Sequence, residues 1–295
     1  MVQAASVFLD RDASVRKAVT LIEQAGDLGA DVVVFPEGFI PTHPVWFHFH
    51  AATSGPGRAM ARELFRNSVV VGGGETDLLA AASRRAGVWS VIGMCEKRAD
   101  TTGTMWNTAV HFSPQGEIVG VHRKTTPTSG ERLVHMPGDG RGLRIPRAPF
   151  GPISTMICAE NFNPLLIFNA NAQYPVVHAA LWPSHFNTTS QPMRETILTA
   201  SKAIAFQNGS YVLNAAGVPD PASIERIALQ DSDLEWLANR QNLGGSSIVA
   251  PNGQVLAGPA SAEEVILTAE LDLDELIGKR LVHDYAGHYN RADLF

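Results

Sequence analysis

Apolar residues near the start of the chain recur with helical spacing: Val15, Ala18, Val19 and Ile22 fall at i, i+3, i+4 and i+7, the stripe that an amphipathic helix turns toward a core. Asp12 is placed to cap this helix and Gly29 to stop it. The period then changes, because residues 31–35 place Val32, Val33, Val34 and Phe35 side by side, which suits a strand covered on both faces. Helices are predicted over 59–66 and 77–86, followed by a strand over 89–95. A meander comes next, with strands over 104–112 and 117–122 around a turn at Ser113 to Gly116. Residues 125–142, rich in Pro, Gly and Thr, are too long for a simple turn and read as a functional or lid-like loop. Beyond it, the apolar run Gly151 to Ile157 ends on Cys158. The pattern then predicts a helix over 164–172, a strand over 176–182, a helix over 192–208 and a strand over 211–215. A second meander occupies 246–249 and 254–257 around Pro251 to Gly253, with a strand over 265–270 and a last helix over 273–281. The more polar segment 219–245, carrying Asp220, Asp231 and Asp233, reads as a surface excursion.

The two hairpins echo one another and imply two similar half-units, each a sheet with helices on its outer face. Packed together they make an α/β fold of four layers, an αββα sandwich. No low-complexity linker divides the chain, so a single domain over residues 1–295 is expected.

Composition narrows the class of function. The 45% apolar content of 295 residues suffices for a large core, and a net charge of -6 with a pI near 5.9 leaves no basic stripe for nucleic acid. No apolar run has the length of a membrane span, and the N-terminal stretch lacks a basic region ahead of its apolar part. With Cys95 and Cys158 as the only cysteines, no disulfide framework is expected, and a cytoplasmic location would keep a thiol reduced.

Three complementary groups stand at strand ends. Cys158 lies where an apolar strand gives way to a polar stretch leading into a helix, a place where unpaired N–H groups and the helix dipole favour a thiolate. Glu37 follows residues 31–36, and Lys124 follows 117–123. A cysteine nucleophile needs a base for its proton and a cation or N–H donor for the charge that builds on its substrate; Glu37 and Lys124 supply these, and Glu131 on the loop after Lys124 can orient the lysine. Singly, each has a plainer reading: a small buried hydrophobe, a cap after Pro36, a solvated strand end. Their joint placement favours the chemical one. A Cys-His hydrolase would need a histidine brought to Cys158, and no local signature of one surrounds it. His43, His48 and His50 raise a metal reading, but no carboxylate or cysteine completes the set locally. Gly72 to Gly74 follows Val69 to Val71 without the spacing of a dinucleotide fingerprint and reads as a turn. Neither metal nor cofactor is expected.

The segments Val32 to Phe39, His122 to Val134 and Ile157 to Leu165 resemble the three signature segments of the nitrilase superfamily of carbon-nitrogen hydrolases, and the resemblance extends to the C-terminal stretch from Gly287 to Phe295. The patterns Lys124-x-x-Pro-Thr-x-x-Glu131-Arg and Cys158-x-Glu-Asn-x-x-Pro-Leu resemble its nitrilase branch more than its amidases or carbamoylases. The resemblance implies that Glu37 is the general base, Lys124 the stabiliser of the tetrahedral species, Cys158 the nucleophile and Glu131 an additional glutamate that positions substrate. It also implies the αββα fold, a small nitrile as substrate, and hydrolysis through a thioimidate and a thioester. Trp46, Ala159 and Trp182 are the expected substrate-contacting positions. True nitrilases commonly carry Trp after the cysteine, so Ala159 is a departure that reshapes the pocket. By the same resemblance the helices after Cys158 and over 192–208 bury apolar residues in a homodimer, and a chain stopping at Phe295 is expected to form dimers or small closed oligomers rather than long filaments.

Overall fold

The computed structural model describes residues 1–185 and 193–294. The chain opens on strand β1 (Val2–Gln3) and helix α1 (Arg11–Asp27), followed by β2 (Val32–Val34), α2 (Gly55–Asn67), α3 (Gly74–Ala86), β3 (Trp89–Lys97), β4 (Met105–Phe112) and β5 (Ile118–Arg123). Strands β6 (Arg147–Ala148) and β7 (Gly151–Ile157) lead through α4 (Pro164–Asn171) to β8 (Val177–Trp182), α5 (Met193–Asn208) and β9 (Tyr211–Ala216). Helices α6 (Pro221–Ile227) and α7 (Asp231–Ala238) precede β10 (Ser247–Val249), β11 (Val255–Ala257), β12 (Val265–Ile266) and α8 (Leu273–Val282).

Two sheets carry the fold, one ordered β2-β3-β4-β5 and the other β11-β10-β9-β8-β7-β6. In the first, β2 runs parallel to β3 and the β4 and β5 meander follows antiparallel. In the second, β7, β8 and β9 are parallel and β10 and β11 close antiparallel. Both half-units thus share the plan anticipated from the paired hairpins. Strand alternation explains the unbroken apolar runs. Val33, Ile92 and Val110 face Val15, Ala18 and Ile22 of α1 and Leu79 and Ala82 of α3. Their neighbours Val34, Val91 and Ala109 join Met156, Ala179 and Leu213 of the second sheet, together with Ile167 of α4 and Ile197 and Ile204 of α5. Four layers result, in the order α, β, β, α.

Several boundaries differ from expectation. Asp10, not Asp12, caps α1, its Oδ1 accepting from the Ala13 N–H at 2.9 Å. Helix α2 starts at Gly55, earlier than the expected residue 59, capped by Ser54 and carrying Pro56 in its first turn, where a proline is tolerated. Gly72 adopts φ +86° and Gly73 caps α3, so that glycine run does turn the chain but its last member, Gly74, already opens the helix. Strand β12 is shorter than anticipated, since it pairs with β1 only through Val2 and Gln3. Residue Pro192, expected to open α5, lies outside the described residues. The segment 219–245 is more than a surface excursion: α6 and α7 bury Ile227 and Leu237 in a satellite core with Trp46, Met60 and Leu64. Among the described residues no helix is long and apolar enough to cross a membrane.

Candidate active site

Glu37 leaves the end of β2 still attached to both sheets. Phe35 and Ile40 donate backbone N–H groups to Val91 O (2.8 Å) and Gly93 O (3.3 Å) of β3, while the Glu37 N–H donates to Trp182 O at the end of β8 (3.1 Å). This passage requires a glycine beside it, because a Cβ on Gly93 would collide with the Pro36 carbonyl oxygen and lie 2.9 Å from Glu37 Cα. Lys124 continues β5, its N–H donating to Asn107 O and its carbonyl accepting from the Gly138 N–H, both at 2.8 Å. Glu131 sits in a one-turn 3-10 helix, Ser129–Leu133, whose Thr-x-x-Glu sequence forms a capping box: Oε2 accepts from the Thr128 N–H at 2.8 Å.

These three side chains meet in the interior. Lys124 Nζ donates to Glu37 Oε1 at 2.9 Å and to Glu131 Oε2 at 2.7 Å, with all three side chains at most 2% exposed. Asn107, projecting from β4, spans the same pair, its Nδ2 donating at 2.7 Å to Glu37 Oε1 and at 2.7 Å to Glu131 Oε1. His135 Nδ1 lies 3.1 Å from Glu131 Oε1, and His43 Nδ1 lies 3.5 Å from Glu37 Oε1. Glu37 Oε2 is buried without a hydrogen-bond partner.

Cys158 follows β7 with a left-handed backbone, φ +51°, a costly conformation for a residue with a Cβ and one that persists where surrounding bonds enforce it. Two neighbours do so. Asn161 Nδ2 donates to Met156 O and Cys158 O, both at 3.1 Å, while its Oδ1 faces His178 Nε2 at 2.9 Å. Glu160 reaches the other way: Oε2 accepts from the Ile157 N–H at 2.9 Å and faces His122 Nε2 at 2.7 Å, and Oε1 accepts from the Thr125 N–H and hydroxyl at 2.8 and 2.7 Å. The turn that bears the thiol is therefore tied to the residue after Lys124.

The expected helix-dipole activation of the thiol is not what the structure provides. Cys158 opens a 3-10 turn, Cys158–Phe162, and α4 begins only at Pro164. Burial pushes the thiol well above its usual range, with Glu37 and Glu131 adding to the rise and Lys124 and the Ala159 N–H opposing it. Burial likewise raises Glu37, outweighing the pull of Lys124. For Glu131 burial also opposes ionisation, but Lys124, the His135 hydrogen bond and His43 hold it well below the ordinary carboxylate range. Lys124 resists its own burial because Glu37, Cys158 and Glu131 surround it, and it stays protonated. Burial drops His43 to about 3, so its imidazole is neutral. The arrangement holds a neutral thiol, a fixed ammonium, a permanent carboxylate and a second carboxylate of raised proton affinity. That set can move one proton and stabilise one anion.

The remaining expected positions fall differently. Trp46 is 0% exposed, its ring edge-on to Phe8 at 6.2 Å, and it packs within the satellite core. Trp182 is equally buried, with its ring 5.3 Å from Phe162, and it reaches the site through the carbonyl that holds Glu37. Ala159 is half-buried beside the sulfur. Of the three histidines weighed for metal, His50 is spent on Ile227 O at 2.9 Å. Among the described residues the group with ligand atoms close enough to hold an ion is Glu37, His43 and Glu131, and Lys124 already places its ammonium between those two carboxylates. Asn107, His135 and Glu160 were missed as site residues. A lone amide in an apolar strand, a histidine four residues after Glu131, and a carboxylate two after Cys158 were the available signals.

The family described as carbon-nitrogen hydrolase matches residues 1–280. A protein named Nitrilase 2 from an unknown prokaryotic organism is 35% identical over 99% of this chain and 89% of its own length. An aliphatic nitrilase of Sinorhizobium fredii (strain HH103) is 34% identical over 100% of this chain and 92% of its own. The crystal structure of a carbon-nitrogen hydrolase from Helicobacter pylori G27 superposes with a TM-score of 0.75 at 22% identity, covering 100% of this chain and 94% of that one, a likeness of fold.

Proposed function

The chain belongs to the carbon-nitrogen hydrolase family, and from that premise we propose that it is a nitrilase converting a small organic nitrile to a carboxylic acid and ammonia. The observation that carries this reading is the asymmetry of Glu37. Its Oε1 accepts from Lys124 and Asn107, while its buried Oε2 has no partner and its charge acts on the Cys158 thiol. A buried carboxylate with one free oxygen and a raised proton affinity is suited to take a thiol proton and return it.

In the first step the Cys158 S–H bond breaks, the proton goes to Glu37 Oε2, and sulfur bonds to the nitrile carbon. The C≡N bond becomes C=N, and Glu37 passes its proton to nitrogen, giving a thioimidate. Water then adds to that carbon, and the tetrahedral species loses ammonia to leave a thioester. A second water releases the acid and restores the thiol. Lys124 faces the negative charge that builds in each addition. Expulsion of sulfur in place of ammonia would release the amide, and the hold of Lys124, Glu37 and Glu131 on that species governs the partition. The test is to measure ammonia, acid and amide against aliphatic, aryl and arylaceto nitriles. Ammonia with matching acid supports the reading; turnover of amides alone would make the protein an amidase, and no turnover of either would make it a silent binding protein of this fold.

Two further properties belong to the same reading. The thiol-dependent site suits the reducing cytoplasm. A homodimer would cover Leu165, Phe168 and Phe206, which are 78%, 48% and 43% exposed. Phe168 also lines a cleft of about 240 Å³ together with Ile167, Gln207 and Tyr285. Light scattering coupled to size exclusion tests this, and a monomer at micromolar concentration would contradict it.

A further inference from the structure

Glu37 and Glu131 share Lys124 and Asn107, so a proton leaving Cys158 has two carboxylates within the same cluster to choose from. Their other surroundings differ. Glu131 uses both oxygens, Oε2 with Lys124 and the Thr128 N–H, Oε1 with Asn107 and His135, whereas Glu37 leaves Oε2 open. Each hydrogen bond to the charged form lowers a carboxylate's affinity for a proton. The Thr128 N–H is fixed by the capping box. The remaining difference is His135.

The position of this ring is set by the backbone. His135 donates its N–H to Glu131 O at 2.9 Å and bridges to Met105 of β4, with the Met136 N–H on Met105 O at 2.8 Å, two residues from Asn107. Its side chain is 0% exposed. A carboxylate opposite Nδ1 selects the tautomer with the proton on Nδ1, and Nε2, buried without a partner, is better left as a lone pair than as an unsatisfied N–H. The other titratable groups whose charge acts in this cluster are Glu37, Lys124, Cys158, His43 and Cys95.

We propose that His135 is a positioning residue: by donating Nδ1–H to Glu131 it fixes that carboxylate as the standing anion of the site, so that the Cys158 proton passes to Glu37 Oε2. The inference rests on the proton transfer described above. Its balance is simple, with one S–H bond broken at Cys158 and one O–H bond formed at Glu37.

The experiment reads the Cys158 proton without any substrate. The rate of alkylation by iodoacetamide is followed against pH for the full chain, His135→Phe and His135→Gln. Without the donor, Glu131 competes for the first proton taken up by the carboxylate pair. In H135F the acid limb therefore moves to higher pH and the rate on that limb falls about tenfold, the equivalent of one hydrogen bond, while H135Q, which keeps an N–H donor, returns toward the parent. Superimposable profiles for H135F and the parent, or equal shifts in H135F and H135Q, overturn the proposal. A readout on the unaltered protein guards against a variant that does not fold: 15N imidazole spectra of the parent must show His135 with its proton on Nδ1, and a proton on Nε2 overturns the proposal too. Because alkylation needs no nitrile, a parent that turns over no nitrile would strike the nitrilase reading while the shift still decides the role of His135.

Discussion

Glu160→Gln is nearly isosteric, yet the structure predicts that it is not conservative. Glu160 is 3% exposed and meets a donor pair on each oxygen: the Ile157 N–H and His122 on one, the Thr125 N–H and hydroxyl on the other. A glutamine has one acceptor oxygen. Whichever way it turns, its NH2 faces a backbone N–H, at Ile157 or at Thr125, and that donor is left buried without an acceptor. An unsatisfied buried donor costs about 1–3 kcal/mol, and the surviving bonds lose their charge assistance, so a loss of about 2–4 kcal/mol is expected. For a chain of this length that lowers Tm by about 5–10 °C. Catalysis suffers as well, because these bonds tie the Cys158 turn to the residue after Lys124, and slack there should lower kcat about 10–100-fold. The pH dependence adds an independent check. Burial opposes the charge on Glu160, but His122 and the N–H donors hold its folded value below the reference of 4.5. Its contribution is therefore fully present above that reference and is lost as pH falls through the lower folded value. The Tm gap between parent and E160Q should be constant near neutrality and close as the pH drops below 4.5. Calorimetry across pH measures the gap, and nitrile turnover measures kcat. A variant with the parent's Tm and kcat, or a gap that does not narrow in acid, would refute the reasoning.

Cys158→Ala should fold and lose turnover while Cys95→Ala keeps it, since Cys95 is 0% exposed with its sulfur on Thr42 O; iodoacetamide mapped by mass spectrometry should label Cys158 first, and equal loss from both changes would remove the assignment. Lys124→Arg keeps the charge but must fit a planar fork between Glu37 and Glu131 in a fully buried site, so kcat should fall at least about 100-fold. Glu37→Gln should be as damaging, and steady-state kinetics showing near-normal activity in either variant would mean that another base or cation operates. Ala159→Trp fills space beside the sulfur and should narrow the range of nitriles accepted or change the acid-to-amide ratio, measured by product chromatography; no change in either would show that this position points away from the substrate.

The alternation of apolar runs and helical stripes is a local property, and it determined the order of the main strands and helices, the paired hairpins and the four-layer plan, but not the short β1, β6, α6 and α7. It also placed Glu37, Lys124 and Cys158 at strand ends, because the change from apolar to polar residues marks where each strand stops. Glu131 was legible from its place on the loop after Lys124 and from the family resemblance, whereas the capping box that seats it emerged with the structure. Local pattern could not show that Asn107 joins two carboxylates 70 and 24 residues away from it, or that His135 completes one of them. Nor could it show that short polar segments fold as α6 and α7 and pack Ile227 and Leu237 in one cluster with Trp46. The ionisation of the site was equally out of reach. An assumed helix dipole pointed toward a thiolate, but the helix starts too late and the sulfur is buried, so desolvation wins. Proton affinities depend on which charges share a water-free interior, and tertiary packing alone brings those charges together.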